Sequence, residues 1–171
     1  MTVLKWIGAI LVFAGCGFFG FKTAGAYLAE ERMLRKLIGV LDFMSCELQY
    51  KLTPLPDLCR QSAGETSGTL QKLLFVFADE LESQVSPNVK SCMNVAISKF
   101  ALLPELTKKC LYQLGQSMGR FDLSGQIQAL ESVRISCRHY LSKLEAGKDL
   151  RLRSYQTLGL CAGAALVILF M

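Results

Sequence analysis

Few residues in this chain could do chemistry, and their spacing argues against it. His139 is the single histidine and stands in a charge-rich helical segment, with no acidic residue at a catalytic spacing, so it reads as solvated surface. Cys137, two positions earlier, is the one cysteine close to it. Residues i and i+2 of a helix point to different sides, and zinc wants two ligand pairs at short spacing, so no metal site is expected. Cys16, Cys46, Cys59, Cys92, Cys110 and Cys161 are scattered without a CxxC pair. An odd count with no framework spacing favours reduced thiols in a cytosol-facing domain. Asp79, Glu80 and Glu82 cluster on one helical turn and are expected to point outward and merely solvate it. "GETSG" at 64–68 looks like a phosphate loop, but no GK[ST] follows it and no strand precedes it. Neither an enzyme nor a cofactor-binding protein is expected from these residues.

The elements that would position any such group are helices, and the two ends differ from the middle. With 51% apolar and 19% charged residues, the chain is more apolar than a soluble domain of 171 residues should be, and the excess sits at the termini. The net charge of +5 is modest, and Lys and Arg alternate with Glu and Asp along the helices, which disfavours nucleic acid as a partner. Lys5 and Lys22 bracket sixteen uncharged residues, 6–21. At 1.5 Å per residue these cover roughly 24 Å, and Val3, Leu4 and a snorkelling Lys22 extend the run toward the ~30 Å of a hydrocarbon core. "FAGC" at 13–16 approaches a lipobox, which would lipidate Cys16, and its small residues also suit a signal-peptide cut. Phe13 occupies the usual aliphatic position, however, and the run continues with Gly-Phe-Phe-Gly-Phe past the supposed cut. An uncleaved span is therefore favoured over a lipoprotein, and both over a cleaved leader.

At the other end, 154–171 carries no charge, and eighteen residues can just cross a bilayer. Gly159 with Gly163, and Gly20 with Ala24, give small-xxx-small spacing that would let two spans pack closely; whether copies of the chain also associate stays open. Lys22, Arg32, Arg35 and Lys36 follow the first span, and Lys143, Lys148, Arg151 and Arg153 precede the second, whereas only Lys5 lies outside. Eight basic residues against one place the middle in the cytoplasm.

The expected organisation is a transmembrane helix over 3–25, an all-α cytoplasmic antiparallel six-helix bundle over 26–153, and a transmembrane helix over 154–171. Leu34, Leu37, Leu41, Met44 and Leu48 form an apolar stripe continuous with the first span. Thr53 is expected to N-cap a short helix opened by Pro54, which ends in a polar loop, "SAGETSG". Leu70, Leu73, Leu74, Phe77 and Leu81 mark the next helix; "SPN" at 86–88 breaks it before Met93, Ile97 and Phe100. Pro104 opens a helix carrying Leu106, Cys110, Leu114 and Met118; Gly119 suits its C-terminal left-handed position, and Asp122 suits the next N-cap. Leu123, Ile127, Leu130, Cys137, Leu141 and Leu144 then run without proline into the second apolar segment, a helix about 70 Å long if continuous.

Two stretches join helices and concentrate turn formers with charge: "ELQYKLTPLPDL" at 47–58 and "LYQLGQSMGRFDLSGQ" at 111–126. They either fix the bundle corners or present a docking surface. Glu47, Tyr50, Thr53, Pro54, Gly115, Gly119, Asp122 and Gln126, with the ending "RSYQTLGLCAGAALVILFM", resemble the stage III sporulation protein AB family of endospore-forming Firmicutes along the whole chain. The chain is richer in cysteine than that family leads one to expect, though none of the matching positions is a cysteine.

The resemblance implies a non-enzymatic subunit of the sporulation channel between mother cell and forespore, the so-called feeding tube. It implies a place in the mother-cell membrane around the forespore. Its helical domain would be similar to the inner-membrane platform protein of type II secretion and type IV pilus systems. The implied partners are a cytoplasmic ATPase, stage III sporulation protein AA, and other membrane proteins of the complex, with the eight matching residues as the docking set. The alternative is a scaffold, lipid-anchored at Cys16 or otherwise membrane-bound, that regulates an envelope enzyme without a motor. A reporter fused at "SAGETSG" should be active only when it is a cytoplasm-dependent one; activity of an extracytoplasmic reporter there would refute the two-span topology.

Overall fold

In a computed structural model of the protein, the backbone is described for residues 2–51, 53–83, 88–118 and 123–170, and side chains for 25–51, 53–83, 88–118 and 123–147. Among the described residues there are six helices and no strand: α1 (Thr2–Lys51), α2 (Leu55–Gly64), α3 (Thr69–Ser83), α4 (Val89–Ser98), α5 (Glu105–Ser117) and α6 (Leu123–Phe170). Residues 30–142 form one compact unit; residues 1–29 and 143–171 form another. No described helix is long and apolar enough to cross a membrane. The apolar runs 6–21 and 154–171, with Cys16, Gly20, Ala24, Gly159 and Gly163, lie outside the residues whose side chains are described.

The 30–142 unit is a helical bundle, and the three-and-four spacing of its apolar residues accounts for it. Leu34, Leu37, Leu41 and Met44 of α1 are fully buried and Leu48 nearly so. Leu70, Leu73, Leu74 and Phe77 of α3 have no exposure at all, nor have Cys110, Leu111 and Leu114 of α5 or Leu130, Val133 and Cys137 of α6. The last stripe starts later than its pattern suggests: Leu123 is exposed in the first turn of α6.

Three helix starts use different devices. At α4 the Asn88 Oδ1 accepts from the Ser91 amide at 2.8 Å, an ordinary N-cap. At α5 the residue before the helix is Pro104, which offers no side-chain cap. Glu30 of α1 supplies it from a distance, its Oε1 accepting from the Leu106 amide at 2.6 Å. At α2 the sequence expectation fails by one residue. Pro54, with ψ near 146°, holds the N-cap position and the helix begins at Leu55, so Thr53 is too early to cap it and no side-chain cap exists. The end of α2 also differs from expectation. Ser62 and Ala63 are buried within the helix, the Ser62 hydroxyl donating to the Leu58 carbonyl at 2.7 Å, so only the last part of "SAGETSG" is a connector. Gly68 closes that connector at φ 82°, a left-handed conformation that side chains resist. Gly119 and Asp122, expected at the next helix boundary, lie outside the described residues.

Among the described residues Phe77 is the largest fully buried side chain. Phe77→Ala should cost about 3–5 kcal/mol of unfolding free energy in urea denaturation of the full chain, through lost transfer energy plus a cavity. An unchanged midpoint would place Phe77 outside the core.

Candidate docking site

Three long-range polar contacts set the direction of the helices. Glu30 meets the start of α5. The Lys36 ammonium donates to the Ser67 carbonyl and hydroxyl, both at 2.9 Å, which puts the α2–α3 connector level with residue 36 of α1, nearer Glu30 than Lys51. Arg134 of α6 donates to Asp42 at 2.7 Å. Since α5 starts beside residue 30, it ends toward residue 51, and α6 begins there and returns antiparallel to α1. The α4–α5 pair agrees: Gly115, late in α5, packs on Met93 and Lys90, early in α4. The chain thus goes up and down. The end of α1, the start of α2, the end of α5 and the start of α6 lie toward one end of the bundle, so the described parts of 47–58 and 111–126, far apart in sequence, belong to the same end.

Within that end the expected site residues separate into different roles. Tyr50 is 80% exposed. Pro54 is exposed and Thr53 half-buried in the hairpin between α1 and α2. Glu47 is mostly covered; its Oε1 accepts from Lys51 at 3.0 Å, and among the described residues its buried Oε2 has no hydrogen-bond partner. Glu47 therefore holds Lys51, whose side chain is 66% exposed, and Lys51 with Tyr50 forms the accessible surface. Gln126 is half-buried in the second turn of α6.

Gly115 belongs to the packing. A Cβ there would sit 2.6 Å from Met93 Cβ and 2.9 Å from its Cγ, so glycine is what lets α4 and α5 approach. The spacing "LGQSMG" marks two glycines but cannot say which faces a neighbouring backbone.

The residues considered for chemistry also find places. His139 is exposed, on another side of α6 from the buried Cys137. The acidic turn on α3 does more than solvate it, which corrects the sequence reading. Arg60 of α2 donates to Asp79 at 2.8 Å and to Glu82 at 2.7 Å, and Lys99 after α4 donates to Glu80 at 2.8 Å. That turn fastens both neighbouring helices to α3, and the two carboxylates hold the Arg60 guanidinium even more firmly protonated than usual. The five described cysteines are free thiols. Burial pushes the Cys59 thiol up to about 12, so it stays protonated at physiological pH. The neighbouring Cys110 thiol and burial raise Cys137. Sequence reasoning missed the Asp42–Arg134–Glu131 cluster, in which Arg134 also donates to Glu131 at 2.6 Å. The i,i+3 Glu131–Arg134 pair was legible; Asp42, 92 residues away, was not.

The family model described as stage III sporulation protein AB matches residues 5–171. Stage III sporulation protein AB of Bacillus subtilis (strain 168) is 24% identical over 172 residues, covering 99% of this chain and 100% of the relative. A solved structure of a stage III sporulation protein AB superposes with a TM-score of 0.60 at 18% identity, over 71% of this chain and 98% of that one. At such identity the superposition speaks for the fold.

The glycines provide a paired test of the packing. Gly115→Ala should destabilise by about 1–3 kcal/mol through overpacking against Met93, despite a helix-propensity gain of about 1 kcal/mol. Gly39→Ala, in the exposed middle of α1 with nothing within 4 Å of its Cβ, should stabilise by about 0.5–1 kcal/mol. Equal shifts in urea midpoints would refute the close α4–α5 approach.

Proposed function

Because the chain belongs to the stage III sporulation protein AB family, we propose that it is a non-enzymatic membrane platform of the sporulation complex between mother cell and forespore. In this reading the apolar runs 6–21 and 154–171 are transmembrane helices, and the bundle between them lies in the mother-cell cytoplasm. Eight basic residues against one across the proposed spans support that orientation. The bundle couples a cytoplasmic ATPase, stage III sporulation protein AA, to the other membrane proteins of the assembly. The observation that carries the proposal is the family match over 5–171, which includes both apolar ends as well as the helices between them.

The docking end fits a protein partner. Tyrosine is among the residues that most often dominate interface energies, because a rigid aromatic with a polar tip buries much area at little entropic loss. Tyr50 is presented that way, beside a lysine fixed by Glu47 and a proline-stiffened hairpin. Gln126 stands half-buried near the start of α6, and Asp122 precedes that helix in the sequence. A motor bearing acidic and apolar groups would complement Tyr50 and Lys51, with Asp122 offering the opposite charge to a basic residue.

Tyr50→Ala and Asp122→Asn test the reading. The amide retains a good helix cap while removing the charge, and Tyr50 contributes nothing to the core. Both variants should keep wild-type helicity and melting temperature, yet recover several-fold less ATPase in pull-downs and lower spore yield. Glu47→Gln should give a smaller loss, since it acts through Lys51. If Tyr50→Ala and Asp122→Asn bind and sporulate like wild type, this end is a structural corner and does not dock the motor.

A further inference from the structure

Two buried thiols meet inside the bundle, away from the docking end. Cys110 of α5 and Cys137 of α6 have no exposure at all, and both are free. The helices bring them together on grounds of packing. On α5, Gly115 faces Met93 of α4, and Cys110, five residues earlier, lies about 140° around the helix from it. Among α2, α3 and α4, only α4 packs against α5. The cover over Cys110 therefore comes from α1 and α6. On α6, Arg134 faces Asp42 of α1, and Cys137 follows less than one turn later. Glu30 sets the level of the start of α5, and Asp42 sets that of residue 134. Since α5 and α6 run in opposite directions between those levels, both cysteines fall beside the same stretch of α1. There the Cys137 thiol holds Cys110 below an ordinary thiol, while Cys110 and burial raise Cys137.

Such a pair has a second covalent state open to it. Burial excludes bulky reagents, but hydrogen peroxide is small and uncharged and enters through local opening. The Cys110 sulfur attacks one peroxide oxygen and the O–O bond breaks, leaving a sulfenic acid. The departing hydroxide takes the Cys110 proton and becomes the first water. In a covered site the group within reach of that sulfenic acid is the Cys137 thiol. Its sulfur attacks the Cys110 sulfur, the S–O bond breaks, and the hydroxide released takes the Cys137 proton as the second water. Two thiols thus give two electrons and two protons to one peroxide.

We propose that Cys110 and Cys137 form a redox-sensitive pair, in which a hydroperoxide closes a disulfide that staples α5 to α6 and a small dithiol reopens it. Closure ties residues 110–137 into a loop that contains the α5–α6 connector, which restrains the unfolded chain. Neither step depends on the platform reading.

Trypsin isolates the two cysteines, because Lys109, Arg120, Arg134 and Arg138 bound them in the peptides 110–120 and 135–138. The folded full chain in detergent micelles is treated with hydrogen peroxide, alkylated, and digested without reductant. The expected result is the two peptides joined, two hydrogens lighter than their sum. Dithiothreitol should separate them, and the oxidised chain should unfold at a higher urea concentration than the reduced one. Cys110→Ala should abolish the joined peptide and the urea shift, whereas Cys59→Ala should abolish neither. Should Cys110→Ala lose its helicity, the wild-type digest alone decides. Peptides 110–120 and 135–138 recovered separately from peroxide-treated folded chain, as thiols or as sulfinic acids, overturn the inference. So does a joined pair that forms only in urea, or one that leaves the urea midpoint unmoved.

Discussion

The bundle depends first on the removal from water of one stripe of α1. Leu34, Leu37, Leu41 and Met44 are fully buried along a single helix, with Val40 and Leu48 beside them. No isolated helix can hide such a stripe, so the remaining helices must cover it, and the direction of α1 becomes the axis to which they are referred. At roughly 1.5–3 kcal/mol for each large apolar side chain fully buried, this stripe outweighs any polar contact in the unit. The polar contacts then select among arrangements that would all bury it. Glu30 against the start of α5, Lys36 against the α2–α3 connector and Asp42 against α6 are satisfied together in one register.

Those polar contacts differ in weight. Arg60 with Asp79 and Glu82 is exposed, and exposed pairs contribute only about 0–1 kcal/mol each. Their value is directional, since a guanidinium forked across two carboxylates one turn apart fixes how α2 crosses α3. The Glu30 contact is of another kind. It satisfies a helix amide that Pro104 cannot cap, and an amide without a partner in a partly buried place costs about 1–3 kcal/mol. The close approach of α4 and α5 adds a steric condition, because any side chain at Gly115 meets Met93.

The up-and-down path gives the bundle two unlike ends. One gathers the α1–α2 hairpin and the α5–α6 boundary around Tyr50 and Lys51, an aromatic and a cation offered to solvent. The other gathers the capped start of α5 and the turn that displays Leu102. An odd number of reversals between α1 and α6 is a simple way to build two such chemically distinct ends. The buried stripes hold those reversals at fixed heights.

The sequence by itself determined the helices and most of the core. The three-and-four repeats in α1, α3 and α5 are local, and burial follows from them because only one face of a helix can be apolar and covered. It also held the family signature and both apolar runs. It misjudged local ends where two devices compete, as at Thr53, where Pro54 takes the cap position, and at Ser62, a polar residue buried by bonding to its own helix. Tertiary structure alone decided that Asp79, Glu80 and Glu82 tie helices together, that Glu30 caps α5 across 76 residues, and that Gly115 is a contact while Tyr50 is a surface. Helical periodicity states which residues share a face, but not which helix will lie against that face. That choice is made by packing among segments distant in the chain, and no spacing within a single segment encodes it.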